Sequence, residues 1–178
     1  MQHGKRIMSE TRALELLRGV RDEFRRRISD EFEFRAKPCS MCETPGACCL
    51  DAHFVNVRIS RLESTAIMRV LDKLDEPHRI RVYARIDDAI RRFRLDGSDS
   101  SPTYACPLHE TGIGCLVHDT AKPLPCIHHA CYENREDLPP NELLAAAELE
   151  VAQLNGSAYG RQQTFLPLPV AIKNIDAI

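Results

Sequence analysis

The chain has 178 residues, 43% of them hydrophobic, and a formal net charge of -2, a composition that excludes a disordered polymer and suits one globular domain with a buried core. Near-neutral charge excludes a global electrostatic pull towards nucleic acid or anionic membrane, and the absence of Trp leaves the core to Leu, Ile, Val and Ala. No apolar run approaches the roughly 20 residues of a membrane span, and Met1 to Glu10 lacks the apolar stretch of a secretory signal, so the expected compartment is the cytosol, where disulfides are rare.

The first expected element is a helix over Ser9–Phe34, with Ser9 as N-cap and Glu10 in the first turn. Leu14, Leu17, Phe24, Ile28 and Phe32 recur at helical spacing, while Arg21, Arg25, Arg26 and Arg27 read as a solvated face balanced by Asp22, Glu23, Asp30 and Glu31. Pro38 ends this helix, because the residue before a proline is pushed out of the α region. Phe54–Ile59 alternates like a short strand, and Ser60-Arg61-Leu62-Glu63 is a capping box that opens a second helix. A third helix spans Pro77–Leu95, with Ile80, Tyr83, Ile86, Ile90 and Phe93 on one side and six arginines against two aspartates. Asp96-Gly97-Ser98-Asp99-Ser100-Ser101-Pro102 reads as a loop. A last helix is expected to start near Asn141, its N-cap by residue type, along the spine Leu144, Ala147, Val151 and Leu154, with Gly156 as the expected stop. The tail from Phe165 is apolar but broken by proline and reads as a strap on the domain. The expected fold is mainly α: about four helices around irregular cysteine loops, with room for one short β-hairpin. Residues 1–37 are expected to supply the N-terminal helix and residues 38–178 a cysteine-cluster domain ending in a helix and tail, the whole forming one compact unit.

The eight cysteines fall into two groups. The first is Cys39-Ser-Met-Cys42 followed by the doublet Cys48-Cys49, with Pro45-Gly46 supplying a turn. The second is Cys106, Cys115, Cys126 and Cys131, in backbone rich in Gly, Pro and His. Thiolates are soft ligands that favour zinc, copper(I) and iron–sulfur clusters, and eight of them suffice for two four-thiolate sites or one larger cluster. Adjacent side chains diverge, so Cys48 and Cys49 are expected to serve different metals or to contribute one ligand between them. Five histidines lie in or near these segments: His53, His109, His118, His128 and His129. His109 and His118 each stand three residues after a cysteine, a repeated C-x-x-H spacing that makes them the candidate nitrogen ligands. His128 and His129 are candidates for orienting ligands by hydrogen bonds. Asp51, Glu110 and Asp119 are candidate oxygen donors to a harder metal, with turn and solvated roles as their alternative.

The set Cys39, Cys42, Cys48, Cys49, then Cys106-Pro107-Leu108, Gly114-Cys115-Leu116 and Pro123-Leu124-Pro125-Cys126 resembles the YkgJ-type cysteine-cluster proteins, described as zinc- or iron-chelating. The resemblance runs from Pro38 to Cys131 and implies bound zinc or iron, with an iron–sulfur cluster among the forms it allows. Three features depart from the pattern: a longer first gap, His118 and Ile127 where tyrosine and arginine are usual, and Cys131, which has no clear counterpart. A metal-binding protein of the cytosol is the first function these observations imply, with the metal ion as its partner and a protein partner allowed. A redox or protein-modifying iron or iron–sulfur enzyme is the second; a similar cysteine-rich segment is associated with flagellin lysine N-methylase, although no G-x-G-x-x-G loop is present. A structural zinc module for protein or RNA is the third. RNA is disfavoured by the balanced charge and the lack of interleaved aromatics.

Overall fold

Serine caps open two of the helices for the reason the sequence gives. The Ser9 side chain accepts the Arg12 N–H at 3.3 Å, and Ser60 and Glu63 close a reciprocal capping box in which both side chains are buried. The computed structural model describes residues 8–38, 41–50, 55–95, 103–160 and 164–175. In chain order its elements are α1 (Glu10–Glu31), a 3-10 turn (Glu33–Arg35), β1 (Ala36–Lys37), α2 (Ala47–Leu50), β2 (Arg58–Ile59), α3 (Arg61–Leu71) and α4 (Glu76–Phe93). There follow β3 (His109–Glu110), β4 (Gly114–Cys115), α5 (Leu124–His128), β5 (Cys131–Tyr132), α6 (Asn141–Tyr159), β6 (Leu166–Pro167) and α7 (Leu168–Lys173). The fold is mainly α, and its strands occur only as two-residue pairs: β1 with β5, β2 with β6, and the β3–β4 hairpin. Among the described residues no helix is long and apolar enough to cross a membrane.

The chain divides into two compact units, each drawn from separated segments. The first comprises Met1–Pro45 and Lys122–Thr164, so the N-terminal helix shares its unit with the last long helix. In it α1 packs on α5 and α6. Leu17, Phe24 and Ile28 of α1, Leu124 and Ile127 of α5, and Ala147 and Val151 of α6 are buried. Arg21 departs from expectation: it is only 6% exposed, because position 21 lies on the same helical stripe as Leu17, Phe24 and Ile28. Helix α6 also runs past Gly156. It ends at Gly160, which takes the left-handed conformation at φ 72°, while the intervening turn buries Ala158 and so offsets the cost of the internal glycine. Asn141 is the first helical residue rather than the cap, a position taken by Pro140.

The second unit comprises Gly46–Ala121 and Phe165–Ile178. Its α3 and α4 pack on α7, and its core includes Ile67 and Leu71 of α3, Val82 and Ile86 of α4, and Leu168 and Ile172 of α7. The tail is therefore more than a strap: Leu168 to Ile172 are all buried in a helix of their own. Pro169 sits in its first turn, where a proline needs no N–H. The expected strand over Phe54–Ile59 is regular only at Arg58–Ile59, where it pairs antiparallel with Leu166–Pro167; Phe54 lies outside the described residues.

Tyr104 joins three distant segments of this unit. Its side chain is fully buried, its N–H donates to the Val55 carbonyl at 2.9 Å, its hydroxyl donates to the Val57 carbonyl, and that same hydroxyl accepts the Leu168 N–H at 3.2 Å. A phenol holding two backbone partners in an apolar surround is costly to remove, because those partners stay buried. Tyr104→Phe is expected to lower unfolding free energy by about 1–2 kcal/mol, read from urea denaturation as a shifted midpoint at an unchanged slope.

Candidate metal centre

The unit boundaries cut both cysteine groups. The break between Pro45 and Gly46 sends Cys42 to the first unit and the doublet Cys48-Cys49 to the second. The break between Ala121 and Lys122 keeps Cys106 and Cys115 in the second unit and gives Cys126 and Cys131 to the first. Each unit thus receives members of both the early and the late group. The seven described cysteines are thiols, all part-buried. Cys39, His53 and Asp51 lie outside the described residues.

In the second unit the doublet and the late loop are joined directly. The Cys106 N–H donates to the Cys49 carbonyl at 2.7 Å, while Cys49 N–H and Leu50 N–H both return to the Gly46 carbonyl. Next to this turn stands the His109 imidazole. A Cβ built on Gly46 would lie 2.3 Å from both Cε1 and Nε2 of that ring, and Gly46 has a φ of 84°, so glycine is required here both for space and for backbone. Across the β3–β4 hairpin His109 is in register with Cys115, and the Leu116 N–H to Leu108 carbonyl bond at 3.0 Å extends the pairing. The local sequence explains the hairpin: Gly112 and Gly114 both take positive φ at its turn.

Cys106 is strongly perturbed. Burial pushes its thiol up to about 12, with the neighbouring Cys115 adding to the rise. The backbone N–H groups of Leu108 and His109 and the Arg85 guanidinium act in the opposite direction. Burial thus keeps Cys106 a neutral thiol, and a bound cation would favour its thiolate.

The hairpin is clamped to α4. Arg85 Nε donates to the Pro107 carbonyl at 2.9 Å and its NH1 nitrogen to Glu110 Oε1 at 2.7 Å. His78 Nε2 lies 2.6 Å from Glu110 Oε2. The carboxyl of Glu110 is held below the usual carboxylate range, mainly by its hydrogen bond to Arg85, then by that to His78. Both oxygens of Glu110 are thereby engaged in anchoring, in place of the metal-donor role that its position in the chain allowed. Residue spacing gave no sign of His78 or Arg85, since their contacts reach 32 and 25 residues along the chain.

The two C-x-x-H histidines differ. His118 is exposed, and its Nδ1 faces Asp119 Oδ1 at 3.7 Å. His109 is part-buried, and its Nδ1 is a buried nitrogen with no hydrogen-bond partner. In the first unit Cys131 pairs with Lys37 across β1–β5, Cys126 sits in α5, and Cys42 Sγ lies 3.2 Å from the Thr44 carbonyl. His128 stacks on Phe24 with centroids 6.4 Å apart and places Nε2 3.3 Å from the Pro140 carbonyl, while His129 is exposed.

Among the described residues no three of these donors gather round one point as a ready metal-holding group. The donor set of the second unit nevertheless suits a soft or borderline metal: Cys48, Cys49, Cys106 and Cys115 supply sulfur, and the orphaned Nδ1 of His109 supplies nitrogen. No protein-family model, curated protein or solved structure matches the chain.

Two outcomes test this geometry. Gly46→Ala is expected to destabilise by about 1–2 kcal/mol from the left-handed backbone alone, and by more while the imidazole is in place. In a double-mutant cycle with His109→Ala, denaturation should report a coupling of about 1 kcal/mol. Glu110 has a lowered folded-state pKa, so the stability it contributes is complete above the ordinary carboxylate range and lost as pH falls through the lowered value. Glu110→Gln should therefore be less stable at neutral pH and should flatten the acid limb of a stability–pH curve.

Proposed function

We propose that the chain is a cytoplasmic metal-chelating protein that holds zinc or iron through clustered cysteines, with Cys48, Cys49, Cys106 and Cys115 as the principal donor set. The observation that carries this reading is the direct bond between the doublet turn and the late loop, from Cys106 N–H to the Cys49 carbonyl. It brings cysteines nearly 60 residues apart in sequence into one neighbourhood with the His109 ring. Thiolates would supply capture of a soft cation, and affinity would fall at low pH as they protonate. Cys42, Cys126 and Cys131, with Cys39 from the same unit's sequence, form a second donor set by the same logic of early and late cysteines meeting.

The residues have distinct parts in this reading. Gly46 seats the His109 ring, Leu108 and His109 N–H groups support the Cys106 sulfur, and Arg85 and His78 fix the loop through Glu110. His118 stands on the exposed side and is assigned no ligand role.

Protein purified without oxygen is expected to carry zinc or iron in whole-number stoichiometry by elemental analysis. Broad visible absorption would identify an iron–sulfur cluster and its absence with bound zinc would reject one. Cys106→Ser and Cys115→Ser should each remove the same share of the metal, and His118→Ala should remove none. Unchanged metal content in Cys39→Ser, Cys106→Ser and Cys126→Ser alike would sink the reading.

A further inference from the structure

The first unit carries a groove that the cysteines do not line. Helices α1 and α6 run antiparallel, since Tyr159 Oη donates to Glu10 Oε2 at 2.9 Å and the Met8 N–H donates to the Ser157 carbonyl at 3.1 Å. Between them lies a cleft of about 770 Å³. Its floor is apolar, formed by Leu16, Val20 and Phe24 on α1 and by Leu143 and Leu154 on α6. These residues recur at helical spacing, and the stretch from Glu15 to Arg27 extends for about 18 Å of helix axis. That is the shape left when two helices pack and a third is missing.

The lining around this floor is acidic. Glu15 and Glu23 of α1 and Glu150 of α6 line the groove, against the single cation Arg27, which pairs with Glu31 at 3.3 Å. Glu15 and Glu23 pair with Arg12 and Arg26 of their own helix, but these are exposed pairs, weak and readily exchanged for a better partner. Helix α6 contains Glu142, Glu148 and Glu150 and no Lys or Arg. Three carboxylates against one guanidinium in the lining complement a cationic protein surface better than nucleic acid or anionic lipid.

Gly19 supplies an observation of a different kind. It lies in the interior of α1, is exposed, and lines the groove. A Cβ built on it would meet nothing within 4 Å. An interior helical glycine is less favourable than alanine by about 1 kcal/mol, and no contact within the chain makes use of the missing side chain. The open space at Gly19 admits the close approach of another backbone.

We infer that this groove binds a basic amphipathic helix of a partner protein. Its apolar stripe lies on Leu16, Val20, Leu143 and Leu154, its Lys or Arg side chains face Glu15, Glu23 and Glu150, and its backbone passes close to Gly19. The site is separate from the cysteines and does not depend on metal.

The test uses the full chain and two fluorescent peptides of about 15 residues, with the same leucine stripe flanked by lysine in one and by glutamate in the other. Fluorescence anisotropy should show the lysine peptide binding at least about tenfold more tightly than its twin, with affinity falling as salt rises. The paired charge reversal Glu23→Lys with Glu150→Lys should weaken the lysine peptide by about tenfold or more. Gly19→Leu should raise the melting temperature, because it replaces a poor helix former in open space, and should also weaken the peptide about tenfold by filling the approach. Equal binding of the twins, no binding of either, or a Gly19→Leu protein that binds like the wild type would overturn the inference. A concentration-dependent dimer abolished by Gly19→Leu would overturn it in favour of a second copy of this chain.

Discussion

Tyr104 sets the position of everything that follows it in the second unit. Its side chain and N–H tie the Val55–Val57 backbone to the start of α7, and two residues later Cys106 meets Cys49. A buried phenol that holds the Val57 carbonyl and the Leu168 N–H, which also bond each other at 2.9 Å, has few alternative placements, because its own hydroxyl would be left without a partner in an apolar surround. The constraint is therefore directional as well as stabilising. It fixes the entry of the Cys106 loop, and the loop in turn carries His109 to Gly46.

The late loop is held from two further directions. Glu110 binds Arg85 and His78 of α4, and Arg85 also holds the Pro107 carbonyl. The basic character of α4 thus has, in part, an internal use. Arg85 is two-thirds buried at this clamp, whereas Arg91 pairs with Asp88 on the exposed side. The same guanidinium lies near enough to oppose the upward shift of Cys106. Anchoring the loop and favouring its thiolate are consequences of one placement, in the proposed chelating role.

The two units divide the labour in different physical terms. The second holds its candidate donor residues in short irregular backbone fixed by hydrogen bonds. The first is built around long helices, and its core stripe on α1 even encloses Arg21. That leaves an adjacent apolar pair on the same helix, Leu16 and Val20, bordering an open groove. A helix with one stripe committed to its own core and a second stripe at a groove is suited to taking a further helix.

Sequence by itself determined the long helices and their starts. Ser9 and Ser60 act as caps because a short polar side chain satisfies the first orphan N–H groups, whatever the rest of the fold does. It also marked the candidate donor residues, because ligand chemistry depends on residue type. Tertiary structure decided the grouping. That Cys49 meets Cys106, that His109 rather than His118 turns inward, and that Glu110 anchors to α4 all rest on contacts tens of residues apart, to which local propensity and spacing are blind. It also decided the fate of Arg21 and of the proline-broken tail: a charged residue on an apolar stripe is buried with its helix, and Leu168 to Ile172 become a buried helix once α3 and α4 offer a surface to pack on.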